Sequence, residues 1–280
     1  MNSITQAEVL RRIHNLPSLP AVVLELLATL DDDDPHIQTL ANKIAQDQAL
    51  TAKTLRLANS SFYGIPHEIT TIPQAIAIVG FRTVRSLATT AALIENFSGS
   101  RTAGFDVNPF WRHAIAAAVC ARNLAAQLDL NTEFAYTAGL LHDIGRLVLV
   151  TQFSANYEAT MVWRNQHDGS LLQAEQAVLG IDHAEVGQVL TRHWKFPESM
   201  QQAIARHHSP DCDGLLPMSL LVMAADAIAH ALDLSRDEAD AVPTLASGLW
   251  AQLGLSEAAL LQVFADTETQ FVGVSEILKN

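Results

Sequence analysis

His142 and Asp143 stand side by side in Ala138-Gly-Leu-Leu-His-Asp-Ile-Gly-Arg-Leu-Val-Leu-Val150, a run otherwise fit for a protein core. An ionised carboxylate alone among apolar groups is costly, so Asp143 must find a partner or face an aqueous cleft. An imidazole nitrogen beside a carboxylate oxygen suits a divalent metal of borderline hardness. Consecutive helical positions point about 100° apart, yet two neighbours on one turn can converge on one ion or on two adjacent ions.

Four further polar intrusions break apolar helical patterns. Asp226 lies among small residues in Ala224-Ala-Asp-Ala-Ile-Ala, and His113 in Phe110-Trp-Arg-His-Ala-Ile-Ala-Ala-Ala. His183 sits in Ile181-Asp-His-Ala-Glu-Val-Gly, and the doublet His207-His208 ends a helical pattern before Ser-Pro-Asp-Cys-Asp-Gly. Together these intrusions supply seven side chains able to ligate: His113, His142, Asp143, His183, His207, His208 and Asp226. Taken singly, each histidine is more often a hydrogen-bonded core residue or an exposed one, and Asp226 alone could pair with an arginine or cap a backbone. A network in which these groups pair only with one another is the third reading. His193, His14, His36, His67, His167 and His230 read as structural. The acidic run Asp31–Asp34 reads as a solvated loop that favours the helix after it through the helix dipole.

The elements that must position these groups are helices. Apolar spacing follows the helical period nearly throughout, and β-branched or aromatic runs are rare. Helices are predicted near 5–14, 20–30, 36–46, 48–59, 73–79, 81–96, 109–128, 132–143, 153–167, 170–179, 183–194, 198–207, 215–232, 242–253 and 256–272. Pro109 and Pro197 suit helix starts, Asn131 or Thr132 and Ser256 suit caps, and Gly145 and Gly180 are expected to end helices. The Gly/Ser segment 98–104 is the expected boundary between two lobes, residues 1–98 and 105–280.

Composition removes several function classes. The chain has 280 residues, 49% apolar and 17% charged, which excludes disorder and supports one sizeable core or two smaller ones. Neither an apolar signal-peptide core nor a run long enough to span a bilayer is present, so a soluble, cytoplasmic protein with no membrane partner is expected. Acidic residues outnumber basic ones 30 to 17, a net charge of −13. That field opposes phosphate neutralisation, so nucleic acid is not an expected partner. Two distant cysteines, Cys120 and Cys212, predict no disulfide and a reducing compartment.

The motifs together resemble the HD superfamily of metal-dependent phosphohydrolases, and within it the HDOD family. In the larger lobe the resemblance is carried by Trp111-Arg-His113, Gly139-Leu-Leu-His-Asp-Ile-Gly145, Asp182-His-Ala-Glu-Val-Gly187, Trp194-Lys-Phe-Pro197 and His207-His-Ser-Pro210. In the smaller lobe it is carried by Leu16-Pro-Ser-Leu-Pro20, Leu55-Arg-Leu-Ala-Asn-Ser-Ser-Phe-Tyr-Gly64 and Ile72-Pro-Gln-Ala-Ile-Ala-Ile-Val-Gly80. These last motifs look like HDOD proteins and not other HD enzymes. Gln48 departs from the proline usual after the residue matched by Asp47.

The resemblance implies an all-α, two-lobed fold and a role in bacterial signal transduction, exercised on signalling proteins in trans. It assigns His113 to the first metal-ligand position, His142 and Asp143 to the paired one, His183 to the intermediate one, His207 and His208 to the late doublet and Asp226 to the last. One or two divalent ions are implied, drawn from Fe, Mn, Ni, Co or Zn. The alternative function is a metal-dependent phosphohydrolase acting on a phosphate ester or cyclic nucleotide, with Asp143 and Arg146 at the reacting centre. A phosphate-containing small ligand follows from that alternative. The related HD-GYP phosphodiesterases carry a glutamate where this chain has Pro109, a Gly-Tyr-Pro loop where it has Asp213–Pro217, and a lysine where it has Arg146. These differences count against cyclic-dinucleotide hydrolysis and leave the metal site intact.

Overall fold

The computed structural model describes residues 3–14, 21–29, 37–60, 63–97, 105–237 and 241–278. The Leu16–Pro20 motif, the Asp31–Asp34 run, His36, and the expected boundary 98–104 lie outside the described residues. The fold is all-α, and no strand forms among the described residues. None of their helices is long and apolar enough to cross a membrane.

The chain runs through α1 (Gln6–Ile13), α2 (Ala21–Ala28), α3 (Ile37–Gln46), α4 (Gln48–Ala58), α5 (Ile72–Val79) and α6 (Phe81–Phe97). It continues through α7 (Val107–Gln127), α8 (Thr132–Leu141), α9 (Ile144–Gln152), α10 (Ser154–His167), α11 (Leu171–Leu179) and α12 (His183–His193). The last elements are α13 (Glu198–Arg206), α14 (Pro217–Ala231), α15 (Leu249–Leu253), α16 (Glu257–Val274) and a 3-10 turn, Ser275–Leu278. Several starts follow directly from local chemistry. Thr5, Asp47, Thr71, Asp106, Asn131, Ser170, Asp182 and Ser256 each accept a backbone N–H of the first turn. Asp47 caps α4 with Gln48 as the first helical residue, so the departure from proline there leaves the helix start in place.

α2, α4 and α5 pack on α6, and α8, α14 and α16 pack on α7. α6 touches α8, and α1 lies against α12 and α9, so buried apolar residues of both halves form one continuous cluster. Asn59 explains part of the motif over residues 55–64. Its side-chain amide donates to the Ile69 carbonyl (2.8 Å) and its oxygen accepts from Ile69 N–H (2.7 Å), which closes the loop between α4 and α5. Cys120 and Cys212 are both buried free thiols.

Three expectations about elements need correction. The helix predicted over 132–143 ends at Leu141, and a further helix, α9, follows over residues predicted to lie outside any helix. Gly145, expected to end a helix, lies in the first turn of α9. A Cβ there would overlap the His183 carbonyl oxygen and come within 2.6 Å of Gly187 N, so Gly145 serves a close helix crossing. The helix predicted over 242–253 shrinks to α15, because Gly248 takes a left-handed conformation (φ 84°) just before it.

Candidate metal centre

Small residues bring the polar groups together. Gly139 of α8 lies against α7, where an added Cβ would stand 2.7 Å from the Ala117 carbonyl oxygen and 2.9 Å from Ala118 Cα. That approach sets His113 of α7 and His142, the residue after α8, with their Nε2 atoms 3.1 Å apart. The Gly145–Gly187 crossing of α9 and α12 does the same for Asp143 and His183, whose Oδ1 and Nε2 are 3.1 Å apart. α14 packs on α7 through an alanine-rich face and presents Asp226, whose Oδ1 lies 3.0 Å from His113 Nε2 and 3.4 Å from His142 Nε2.

The break between α8 and α9 explains how two adjacent residues face one locus. His142 and Asp143 form the junction of the two helices instead of successive positions on one. Asp143 stands at the N-cap of α9 without capping it, so its carboxylate is available elsewhere. Oδ1 lies 3.6 Å from His207 Nε2 and 3.7 Å from His142 Nε2, and Oδ2 accepts from Arg146 Nη1 at 2.9 Å. The Arg146 guanidinium is itself held over the Phe110 ring, 5.6 Å from its centroid. His207 and His208 both turn inward at the end of α13, and His208 Nε2 is 3.1 Å from His183 Nε2. All seven sequence-predicted ligand residues and Arg146 therefore meet at one place.

Imidazole orientation is decided by the opposite ring nitrogen. His142 Nδ1 donates to the Gly139 carbonyl and His207 Nδ1 to the Ile204 carbonyl, each at 2.7 Å. His183 Nδ1 donates to Glu175 Oε2 at 2.6 Å. In their neutral forms these three rings present Nε2 lone pairs to a centre already holding two carboxylates. Among the described residues, His207 Nε2 and Asp226 Oδ2 are buried without a hydrogen-bond partner. Converging acceptors with few donors between them fit a divalent cation, and the borderline donor set of imidazole and carboxylate fits a first-row ion. The donor sets Asp143/His183/His207/His208, His113/His142/Asp143 and His113/Asp226/His230 each have ligand atoms within 4.8 Å of one another.

The electrostatics agree. Burial alone would raise Asp143, but His142, His183 and Arg146 hold its carboxyl well below the ordinary range. Burial likewise opposes ionisation of Asp226, yet His230, His113 and His142 keep it well below that range. Burial opposes charge on His183, but Glu175 and Asp143 raise it well above the usual imidazole value. Burial, then His207 and His183, push His208 well down. Without a metal, protons on imidazoles balance the two carboxylates; a cation would displace them.

Two participants escaped sequence reasoning. Glu175 of α11 is fully buried and accepts both the His183 backbone N–H (2.9 Å) and its ring N–H. Its helix reads as an ordinary amphipathic segment, and only the absence of exposed space around it, invisible in one sequence, marks it. His230 of α14, read as structural, has Nε2 3.2 Å from Asp226 Oδ1. Its signal was the four-residue spacing from Asp226, which places both on one helix face. The remaining histidines keep the bland reading: His14 and His193 make an edge-on ring contact at 5.0 Å, His167 stacks on Trp163, and His67 is exposed. Glu175→Ala should lower divalent-metal affinity by roughly 10–100-fold, the usual effect of removing a residue that orients a ligand. Glu175→Gln should lower it less, because the amide oxygen still accepts the His183 proton; competition titration against a metal indicator measures both.

The cluster forms the floor of a cavity of about 1000 Å3, whose walls include Arg146, Arg164, Arg236, Phe105, Tyr157 and Ser170.

The sequence model of the HDOD domain matches residues 16–210. An uncharacterized protein of Treponema pallidum is 25% identical over 217 residues, covering 72% of this chain and 39% of that protein. Ribonuclease Y of Thermus thermophilus is 34% identical over 127 residues, covering 45% of this chain and 17% of that enzyme. The chain thus spans less than half the length of these curated relatives. Among solved structures, an HDOD domain protein of unknown function from Geobacter sulfurreducens superposes with a TM-score of 0.84 at 23% identity, covering 98% of this chain and 99% of its own. A protein from Shewanella amazonensis described as a candidate phosphohydrolase superposes with a TM-score of 0.77 at 26% identity, covering 96% and 97%.

Proposed function

Given that this chain belongs to the HDOD domain family, we propose that it is a metal-dependent phosphohydrolase whose regulatory role is exercised through that site. The observation that supports catalysis over a purely structural ion is the cavity. Structural metal sites are closed, whereas catalytic ones keep an open side, and here the ligand cluster faces about 1000 Å3 of space with arginines on its walls. His113, His142, Asp143 and Asp226 would hold one ion, and Asp143 with His183, His207 and His208 a second. A divalent ion bound there supplies Lewis acidity toward a phosphoryl oxygen and lowers the pKa of water by several units.

The chain's own residues do the rest. Arg146 is fixed by Asp143 and Phe110 on one side and lines the cavity on the other, so its planar donors can fork onto phosphoryl oxygens. Arg164 and Arg236 add positive charge to walls that would otherwise repel an anion from two carboxylates. Phe105 and Tyr157 give the cavity apolar surface for the non-phosphate part of a substrate. Glu175 keeps the His183 Nε2 lone pair aimed inward.

The test uses protein purified without a polyhistidine tag. Elemental analysis should find first-row metal, and a chromogenic phosphodiester should turn over with wild type but not with His142→Ala. A metal-replete wild type with no turnover across a phosphate-ester screen overturns the catalytic reading. Chelation should also lower the melting temperature, and re-addition should restore it. At a free metal concentration 100 times Kd the stabilisation is about 2.7 kcal/mol. An unchanged melting temperature would contradict a site built to hold a cation.

A regulatory reading without turnover has one supporting feature. Leu261 and Val272 on α16 are 58% and 60% exposed. Eleven residues apart, they fall on the same helix face, which suits docking to a signalling protein in trans. Partner capture lost on Leu261→Glu, from a protein without hydrolytic activity, would favour it.

A further inference from the structure

We infer that His230 is a metal ligand on the cavity side of the site, joining His113 and Asp226 around one divalent ion. This rests on the metal-centre reading above and adds to it a residue outside the assigned set. Asp226 and His230 are four apart on α14, the spacing that places two side chains on one helix face. His230 Nε2 is 3.2 Å from Asp226 Oδ1, and the three residues have ligand atoms within 4.8 Å of one another. The His113 and His230 rings lie with centroids 4.1 Å apart and tilted by 32°. Both rings therefore turn an edge toward the same carboxylate oxygen.

Hydrogen bonding from imidazoles uses one oxygen of Asp226 and leaves the other over. Asp226 Oδ1 has three imidazole Nε2 atoms at 3.0, 3.2 and 3.4 Å, from His113, His230 and His142. The Nδ1–H of His142 is committed to the Gly139 carbonyl, so in the neutral ring its Nε2 meets the carboxylate with a lone pair. Asp226 Oδ2, meanwhile, is buried without a hydrogen-bond partner among the described residues. A cation beside this carboxylate relieves the crowding of acceptors and uses the spare oxygen. The His230 side chain is 17% exposed and lines the cavity, so it closes the site from the side through which a ligand arrives.

Cobalt(II) titration of the metal-stripped full chain tests the inference through affinity and the visible d–d spectrum, neither of which needs turnover. His230→Ala and His230→Gln should both weaken binding of one cobalt equivalent by roughly 100-fold or more, beyond the effect expected for losing a residue that merely supports a ligand. Both should also change the d–d band of that equivalent. Glutamine can still donate a hydrogen bond to Asp226, so His230→Gln with wild-type affinity and spectrum would reduce His230 to a hydrogen-bond donor and overturn the inference. Wild type that binds no cobalt would overturn the metal centre as a whole.

Discussion

Asp143→Asn should remove both the bound metal and any phosphodiester hydrolysis. Among the described residues, Asp143 is the carboxylate in reach of both halves of the cluster: Oδ1 is 3.1 Å from His183 Nε2, 3.6 Å from His207 Nε2 and 3.7 Å from His142 Nε2. Asparagine has nearly the same shape but no charge, and its amide group would point a donor either into the centre or at Arg146. A fall in turnover on the order of 1000-fold is expected, equivalent to about 4 kcal/mol of lost transition-state stabilisation. Metal content measured on the same preparation should fall with it, and chelation should no longer shift the melting temperature. Retention of stoichiometric metal by folded Asp143→Asn protein would show that the ions sit elsewhere.

The second large effect concerns no ligand. Gly145→Ala should destabilise the fold by roughly 3 kcal/mol or more, at the upper end of overpacking effects. The added methyl would overlap the His183 carbonyl and stand 2.6 Å from Gly187 N and 2.9 Å from the His183 carbonyl carbon. All three are backbone atoms, so relief requires α9 and α12 to separate, which also draws Asp143 away from His183. Gly187→Ala makes a useful contrast. Its methyl would meet the Cγ2 branch of buried Ile204 at 2.8 Å, a side-chain atom that can yield a little where backbone cannot, so a smaller cost of about 1–2 kcal/mol is expected. Urea denaturation of the three proteins measures the difference, and equal effects would mean that the crossing is looser than described.

The converging histidines and aspartates were legible in the sequence because their apolar surroundings made them conspicuous. His142-Asp143 and Asp226 interrupt runs of Leu, Ile and Ala, where a polar group needs a reason. What the sequence hid was backbone geometry and support. The helix read over residues 132–143 ends at Leu141, and a second helix starts at Ile144 where none was read. That break lets His142 and Asp143 face the same point, which a continuous helix would oppose. Glu175 and His230 were missed for a common reason: each is unremarkable within its own helix and becomes informative only beside a side chain far away in sequence. His207 and His208 could not be told apart beforehand, because a turn at a helix end sets no fixed angle between neighbours. Both face inward.

α11 joins two jobs on nine residues. Its first turn, Ser170–Leu172, forms part of the cavity wall, and one turn further along Glu175 grips His183. A change at the rim thus bears on the same short helix that holds the imidazole one turn away. Substitution of a rim residue such as Leu172 by a bulkier one is therefore expected to alter divalent-metal affinity without touching any proposed ligand, which the same indicator titration would read.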